Sequence, residues 1–269
     1  MNRKPHKLMR AQGRDRRHLL RGAVAAAGAA MLSGCDRLSA NPSFVATLQS
    51  AEKLSHAAGR LVAPQSAMAQ EFSPKDVAPV FRGNGTLDPR DADYVALRKD
   101  GFAAYRLAVG GLVEKPLDLS LEQLRALPSR TQITRHDCVE GWSCIGKWKG
   151  ALLGALLDQA WPTPEARFVV FRCFDSMEGP RLDGRDTRYY ESIDLEEAHH
   201  AQTILAYELN DKPLPVINGA PVRCRIERQL GYKHAKYVKA IELVASFDSI
   251  RGGKGGYWED EGYEWYGGI

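Results

Sequence analysis

Residues 135–144 read Arg-His-Asp-Cys-Val-Glu-Gly-Trp-Ser-Cys, and no other stretch restricts this chain so much. A cysteine thiolate is a soft ligand that can hold a transition metal directly. Asp137 and Glu140 flank Cys138 closely, and carboxylates cost free energy when buried unpaired, so packing alone does not account for them. Three plainer interpretations stay open on residue types alone. Cys138 can be a small buried hydrophobe ahead of a helix. Cys138 and Cys144 can form a disulfide, or they can supply half of a zinc site. Zinc sites, however, usually show pairs two to four residues apart with a second pair elsewhere, and the sequence has no such pattern.

The amino terminus is expected to be a targeting segment, with residues 1–34 outside the fold. Arg16 and Arg17 form a twin arginine that resembles the signal for bacterial export of folded proteins. Residues 22–31 are almost all Ala, Gly and Val, a run too short to span a bilayer stably. Leu32-Ser33-Gly34-Cys35 then resembles a lipoprotein processing box, with cleavage before Cys35 and lipid attached to its sulfur. Asp36 resembles the signal that keeps some lipoproteins on the inner membrane. The segment carries eight Lys or Arg and one acid, so its removal takes the formal charge from +4 to 4 − 7 = −3. The basic character therefore belongs to the signal and does not argue for nucleic-acid binding. Residues 35–80, broken by Pro64, Pro74 and Pro79, are expected to be a tether and linker. Residues 81–269 suit one domain with one sizeable core.

Within that domain, residues 105–113 alternate as a strand does. Ser120, with Gln123 three residues later, marks the capped start of a short helix that ends before Pro128. Residues 131–135 form a β-rich run leading to Cys138. Residues 150–160 carry Leu152, Leu153, Leu156 and Leu157 on a helical face. Residues 168–172, 204–208 and 240–244 are expected strands, and residues 191–201 an expected helix. Asn218-Gly219-Ala220-Pro221 is a turn from which Arg223 leaves on a strand, and Gly231-Tyr232-Lys233 opens a basic loop. Arginine and lysine beside such turns can hold a phosphate through charge and amide donors, although a solvated loop has the same composition. The aromatic tail, with Tyr257, Trp258, Tyr263, Trp265 and Tyr266, is expected to seal a core edge, or else to offer a partner surface.

These motifs, in this order over residues 81–245, resemble the sulfite oxidase superfamily, and most closely its bacterial periplasmic branch that includes the methionine sulfoxide reductase catalytic subunit. The resemblance implies an α+β, sulfite oxidase-type molybdopterin-binding fold in a single domain. It implies Cys138 as the ligand of molybdenum in a Mo-molybdopterin of the mononucleotide form, with Glu140 beside it as a catalytic or channel residue. Asn84, Cys173, Asn218, Arg223, His234, Ala235 and Lys236 stand where the family holds the pterin and its phosphate. Cys173 replaces a threonine there, and His234 replaces a small residue.

Arg135, His136 and Arg181 are candidates for meeting the substrate, which the resemblance implies is a small sulfur oxyanion, sulfoxide or similar molecule. The implied activity is two-electron oxygen-atom transfer. The sequence shows no Cys-x-x-Cys-His haem motif, so electrons are expected from a membrane haem protein or a periplasmic cytochrome. The fused haem and dimerisation domains of vertebrate-type relatives are expected to be lacking. The implied setting is the periplasm, with the lipid on Cys35 holding the protein to the inner membrane. The competing expectation is a metal-free, non-catalytic relative that serves as a binding or redox partner.

Overall fold

Stretches rich in β-branched and aromatic residues set the architecture, because such side chains fit a pleated, half-buried surface. The structure, a computed structural model, describes residues 66–178 and 186–269, with scattered positions between 21 and 58. The twin arginine, Cys35, Asp36 and Arg181 lie outside the described residues. The chain divides into two units, Met1–Val62 and Ala63–Ile269. In the first, residues 42–45 are helical and Asn41 caps them, accepting from the Ser43 amide at 2.9 Å. No helix among the described residues is long and apolar enough to cross a membrane.

The second unit runs α1 (Ala92–Lys99), β1 (Arg106–Gly111), β2 (Leu117–Ser120), α2 (Leu121–Arg125), β3 (Ser129–Cys138) and β4 (Trp142–Leu152). It continues with α3 (Leu153–Ala160), β5 (Phe168–Ser176), β6 (Arg188–Asp194), α4 (Leu195–Ala198), β7 (Ile204–Leu209) and β8 (Lys212–Pro213). Strands β9 (Arg223–Arg225) and β10 (Val238–Val244) and helix α5 (Tyr257–Asp260) complete it. One five-stranded sheet has the order β2-β1-β10-β5-β6, with β1 and β10 parallel and the other pairs antiparallel. The other runs β3-β4-β7-β8, with β9 also paired to β7. The large core holds Leu107, Leu153, Leu157, Val170 and Phe171, and a smaller cluster packs Phe81 and Trp148 with Ile204 and Leu209.

Central strand β5 is buried on both faces along most of its length, as expected for a strand flanked by two neighbours. The predicted capping box at α2 is present. Ser120 Oγ accepts from the Gln123 amide at 3.1 Å, and Gln123 Oε1 accepts from the Ser120 amide at 2.8 Å. Strands at 168–172, 204–208 and 240–244 form where the sequence places them.

Three expectations are corrected. The segment after Cys138 is not a loop leading into a helix over residues 150–160. It is an eleven-residue strand, β4, and the helix starts at Leu153. Period-two burial of Gly146, Trp148 and Gly150 against β7 and Phe81 outweighs the leucine spacing. Residues 191–201 are not one helix: β6 runs to Asp194, whose side chain caps only the short α4 by accepting from the Glu197 amide at 2.7 Å. Charged Glu191 reads as a solvent-facing helix position, but it is buried in an ion pair. Finally, the stretch ahead of residue 81 is not all exposed tether. Glu71 bridges to Thr134, and the Phe72 and Ala78 amides donate to the Ile133 and Ile145 carbonyls at 2.8 and 3.0 Å.

Candidate cofactor site

Strand alternation puts Gln132, Thr134, His136 and Cys138 on one side of β3. At its end the chain reverses at Gly141, where φ is +82° and the amide donates to the Cys138 carbonyl at 3.0 Å. Asp137 clamps this hairpin from outside, accepting from Ser143 Oγ at 2.5 Å and pairing with Arg135 Nε at 2.8 Å. Trp142 Nε1 donates to Glu140 Oε2 at 2.9 Å, which holds that carboxylate at the turn. Cys138 and Cys144 are both free thiols. No three His, Cys, Asp or Glu residues converge as a metal cage among the described residues, so no all-protein zinc site forms there.

Cys138 opens onto a cavity of about 330 Å³. One part of its lining is polar: Asp175, His234 and Lys236 are buried, and Asn84 and Thr86 are half-buried. Lys236 Nζ donates to the Asn84 carbonyl at 2.5 Å and to the Thr86 carbonyl. Burial, reinforced by the Arg223 guanidinium, pushes this ammonium down to about 7. Burial pushes the Asp175 carboxyl up to about 6, against the pull of Lys236, and its Oδ1 has no partner. Burial also raises the Cys138 thiol, with the Glu140 amide and Arg82 acting the other way. Much of the remaining lining is apolar or aromatic: Val139, Met177, Tyr189, Tyr232, Trp258 and Tyr263, with Val139 and Tyr263 exposed.

A buried layer supports this wall. His234 Nε2 faces the Ile226 and Gln229 carbonyls at 2.9 and 3.0 Å, so it carries the proton, and Nδ1 is left as an unpartnered acceptor. His136 is locked in the same tautomer by a different partner. Arg225 Nη1 donates to its Nδ1 at 2.9 Å, leaving Nε2 protonated and without a partner. The two rings meet edge to face at 5.1 Å. Burial, followed by Arg225, depresses both imidazoles well below the usual histidine range. Arg225 is itself held by Glu227, Nε to Oε1 at 2.9 Å and Nη2 to Oε2 at 2.5 Å, and Gln132 Nε2 donates to Glu227 Oε1 at 2.8 Å. Gly231 is required here, because a Cβ would stand 2.4 Å from His136 Nε2.

Of the residues expected at the site, Asn84, Cys138, Glu140, His234 and Lys236 line the cavity. Asn218, Arg223, Ala235 and Cys173 are buried and do not line it. Arg223 Nη1 donates to the Asn218 carbonyl at 3.1 Å and Nη2 to the His234 carbonyl at 3.4 Å, while its guanidinium lies 5.1 Å from the Trp148 ring centre. It thus braces the loop that carries His234 and Lys236. Arg135 is exposed and ion-paired, and His136 is buried behind the wall, so a direct meeting with substrate does not fit either position. Asp175, Thr86, Tyr232, Trp258 and Tyr263 were not singled out for the site from sequence. The tail aromatics carried a visible signal, but nothing local marked Asp175.

A lone thiol beside a polar recess, with unpartnered donors and acceptors around it, suits a cofactor that brings most of its own metal ligands. The buried, unpartnered polar atoms Asp175 Oδ1 and His234 Nδ1 of the lining fit a polar group, and the cavity falls within the size range of small-ligand sites.

The family match sets the class, a molybdopterin-dependent oxidoreductase. Residues 94–249 match the oxidoreductase molybdopterin-binding domain model, and the chain belongs to that family. Over 201 residues it is 37% identical to the putative protein-methionine-sulfoxide reductase subunit YedZ1 of Azospira oryzae, covering 73% of this chain and 70% of the relative. Over 147 residues it is 37% identical to the protein-methionine-sulfoxide reductase catalytic subunit MsrP of Xanthomonas axonopodis pv. citri. That match covers 53% of this chain and 46% of the relative, so the chain spans about half of that protein. Among solved structures, the sulfane dehydrogenase SoxCD of Paracoccus pantotrophus aligns with a TM-score of 0.47 at 22% identity, covering 56% of this chain and 40% of that one. By its family match, the protein is an oxidoreductase with a molybdopterin-binding domain.

Proposed function

We propose that this enzyme reduces an organic sulfoxide, methionine sulfoxide being the nearest example, to the thioether. The balance is one sulfoxide, two electrons and two protons to one thioether and one water. The observation that carries this is the placement of Cys138 at the junction of a polar recess and an apolar opening. Matches to two proteins named for methionine sulfoxide reduction agree with it. When bound, a Mo-molybdopterin would supply the two-electron oxygen-atom exchange.

The chain's own residues would do the rest. Cys138 would ligate the metal, and Asn84, His234 and Lys236 would bind the polar body of the cofactor. Asn218, Arg223, Ala235 and Cys173 would support that wall from behind. Lys236 would meet the terminal phosphate as a charge donor. The mononucleotide form is proposed because the sequence shows no extra glycine-rich segment for a nucleotide. Glu140, exposed beside Cys138 and oriented by Trp142, is placed to hold a proton at the opening.

For the setting, we infer export through the twin arginine and lipidation at Cys35, giving a periplasmic enzyme tethered to the inner membrane. Electrons would come from a membrane haem protein or a periplasmic cytochrome. Two experiments test these proposals. Protein purified from a strain that makes the cofactor should carry one molybdenum per chain and reduce methionine sulfoxide with a reduced dye; loaded protein without such activity rejects the substrate. In the native host, Cys35→Ala should release the protein from the membrane, and Arg16→Lys with Arg17→Lys should hold it in the cytoplasm. Normal export of the double-lysine variant rejects the folded-export route.

A further inference from the structure

The open end of the cavity is closed by a segment that the family match does not reach. The match ends at residue 249, while Trp258 and Tyr263 line the cavity. Their rings stack at 5.3 Å and 27°, and Tyr263 meets Tyr232 edge-on at 5.3 Å. Tyr257 stacks at 5.9 Å on Tyr189, itself a lining residue, and the Tyr189 hydroxyl donates to the Tyr232 carbonyl.

Buried charges pin this wall. Lys233 Nζ donates to both Glu191 Oε1 and Glu259 Oε1 at 2.5 Å, and all three side chains are almost wholly out of solvent. Lys233 follows Tyr232 and Glu259 follows Trp258, so one ion group sets two of the rings. The chain enters α5 at Gly256, where a Cβ would lie 1.9 Å from Glu259 Oε2 and 2.8 Å from Glu191 Oε1. Removing one partner from a buried charge group leaves the others uncompensated, so such a group enforces one arrangement of the segment.

The chemistry of this wall is selective. Aromatic faces are electron-rich and polarisable, and they hold methyl groups and sulfur well. Inorganic oxyanions instead need cations or convergent N–H donors. Among the described lining residues Lys236 is the single cation, and it is the group assigned above to the cofactor's phosphate. Glu140 and Asp175 add carboxyl groups to the same lining.

We propose that Trp258, Tyr263 and Tyr232 form the specificity wall of the site, gripping the carbon substituents of a neutral organic sulfoxide and disfavouring sulfur oxyanions. The substrate's chemistry rests on the function proposed above, whereas the wall is a statement about binding.

The test uses the molybdenum-loaded enzyme, with methyl p-tolyl sulfoxide and sulfite as probes in titration calorimetry. The wild type should bind the sulfoxide more tightly than sulfite. Trp258→Ala with Tyr263→Ala should weaken sulfoxide binding about tenfold and raise its KM to match, with molybdenum content unchanged. Trp258→Leu keeps apolar volume without the ring, and should weaken binding about threefold even if the double variant folds poorly. Unchanged sulfoxide affinity in Trp258→Leu overturns the proposal. So does loss of molybdenum from it, which would put the rings against the cofactor, or tighter binding of sulfite by the wild type. Wild-type enzyme that binds the sulfoxide through these rings but does not reduce it would leave the wall standing and reject the proposed function.

Discussion

Cys138 and Trp142 face each other as the last register pair of the β3–β4 hairpin. The thiol is thereby held on a rigid strand end, while the indole fixes Glu140 on the far side of the turn. The second cysteine of the motif, Cys144, pairs with His136 farther down the ladder, and its Sγ lies 3.9 Å from the Val80 carbonyl. It is absent from the cavity lining. Cys138→Ser should therefore abolish the molybdenum EPR signal of the thiolate-ligated centre and lower activity by more than about a hundredfold, beyond the loss usual for outer partners of a metal site. Cys144→Ser should leave metal content and signal nearly unchanged. The reverse pattern, read by elemental analysis and EPR, would reject Cys138 as the ligand.

The two cations of the proposed phosphate region should behave differently. Lys236 lines the cavity, so Lys236→Met should lower pterin content several-fold with little loss of folding stability. Arg223 is fully buried and braces two carbonyls beside Trp148. Arg223→Ala should cost about 3 kcal/mol in urea unfolding, because it leaves a void and unsatisfied acceptors. Equal stability of the two variants would contradict this division of roles.

The buried charge group makes stability depend on pH. Burial, then the charge of Glu259, holds the Glu191 carboxyl well above the ordinary carboxylate range, with Lys233 pulling the other way. The Lys233–Glu191–Glu259 group in the folded chain therefore keeps a proton that the unfolded chain releases above about 4.3, which leaves one carboxylate to balance the ammonium. The resulting stabilisation is fully present below that value and is lost as pH rises toward the folded-state pKa, by up to about 1.4 kcal/mol per pH unit. Glu191→Gln should remove this slope, so the variant should gain on the wild type between pH 5 and pH 8 in thermal melts. A parallel slope in the two proteins would show that Glu191 is ionised throughout.

Gly219 sits at φ +111°, where a Cβ would approach the Cβ atoms of Lys236 and Arg223 to 3.0 and 3.1 Å. Gly219→Ala should destabilise the fold by about 1–3 kcal/mol through backbone strain. It should also lower cofactor content, because the displaced neighbour is the cavity lysine. Normal loading in a destabilised variant would separate the turn from the site.

The sequence by itself determined the identity of the family, the metal-ligand candidate and most central strands. These follow from local chemistry: a Cys-Val-Glu-x-Trp-Ser run, a Ser120–Gln123 capping box, and apolar runs such as residues 168–172. It misplaced β4 because Leu152, Leu153, Leu156 and Leu157 carry helical spacing into the strand end, and only pairing with β7 shows where the strand stops. It misread residues 191–194 because a glutamate in a buried strand becomes tolerable only when Lys233, distant in sequence, arrives beside it.

The site divides in the same way. Cys138, Asn84, His234 and Lys236 were legible as motif positions. Tertiary structure alone decided that Arg223 braces rather than lines, that Arg135 pairs outward with Asp137, and that Asp175 and the tail rings Trp258 and Tyr263 face the cavity. The physical reason is range: caps, turns and strand periods act over a few residues. The partner of a buried charge, and the face that an aromatic ring presents, are set by segments brought together only when the chain folds.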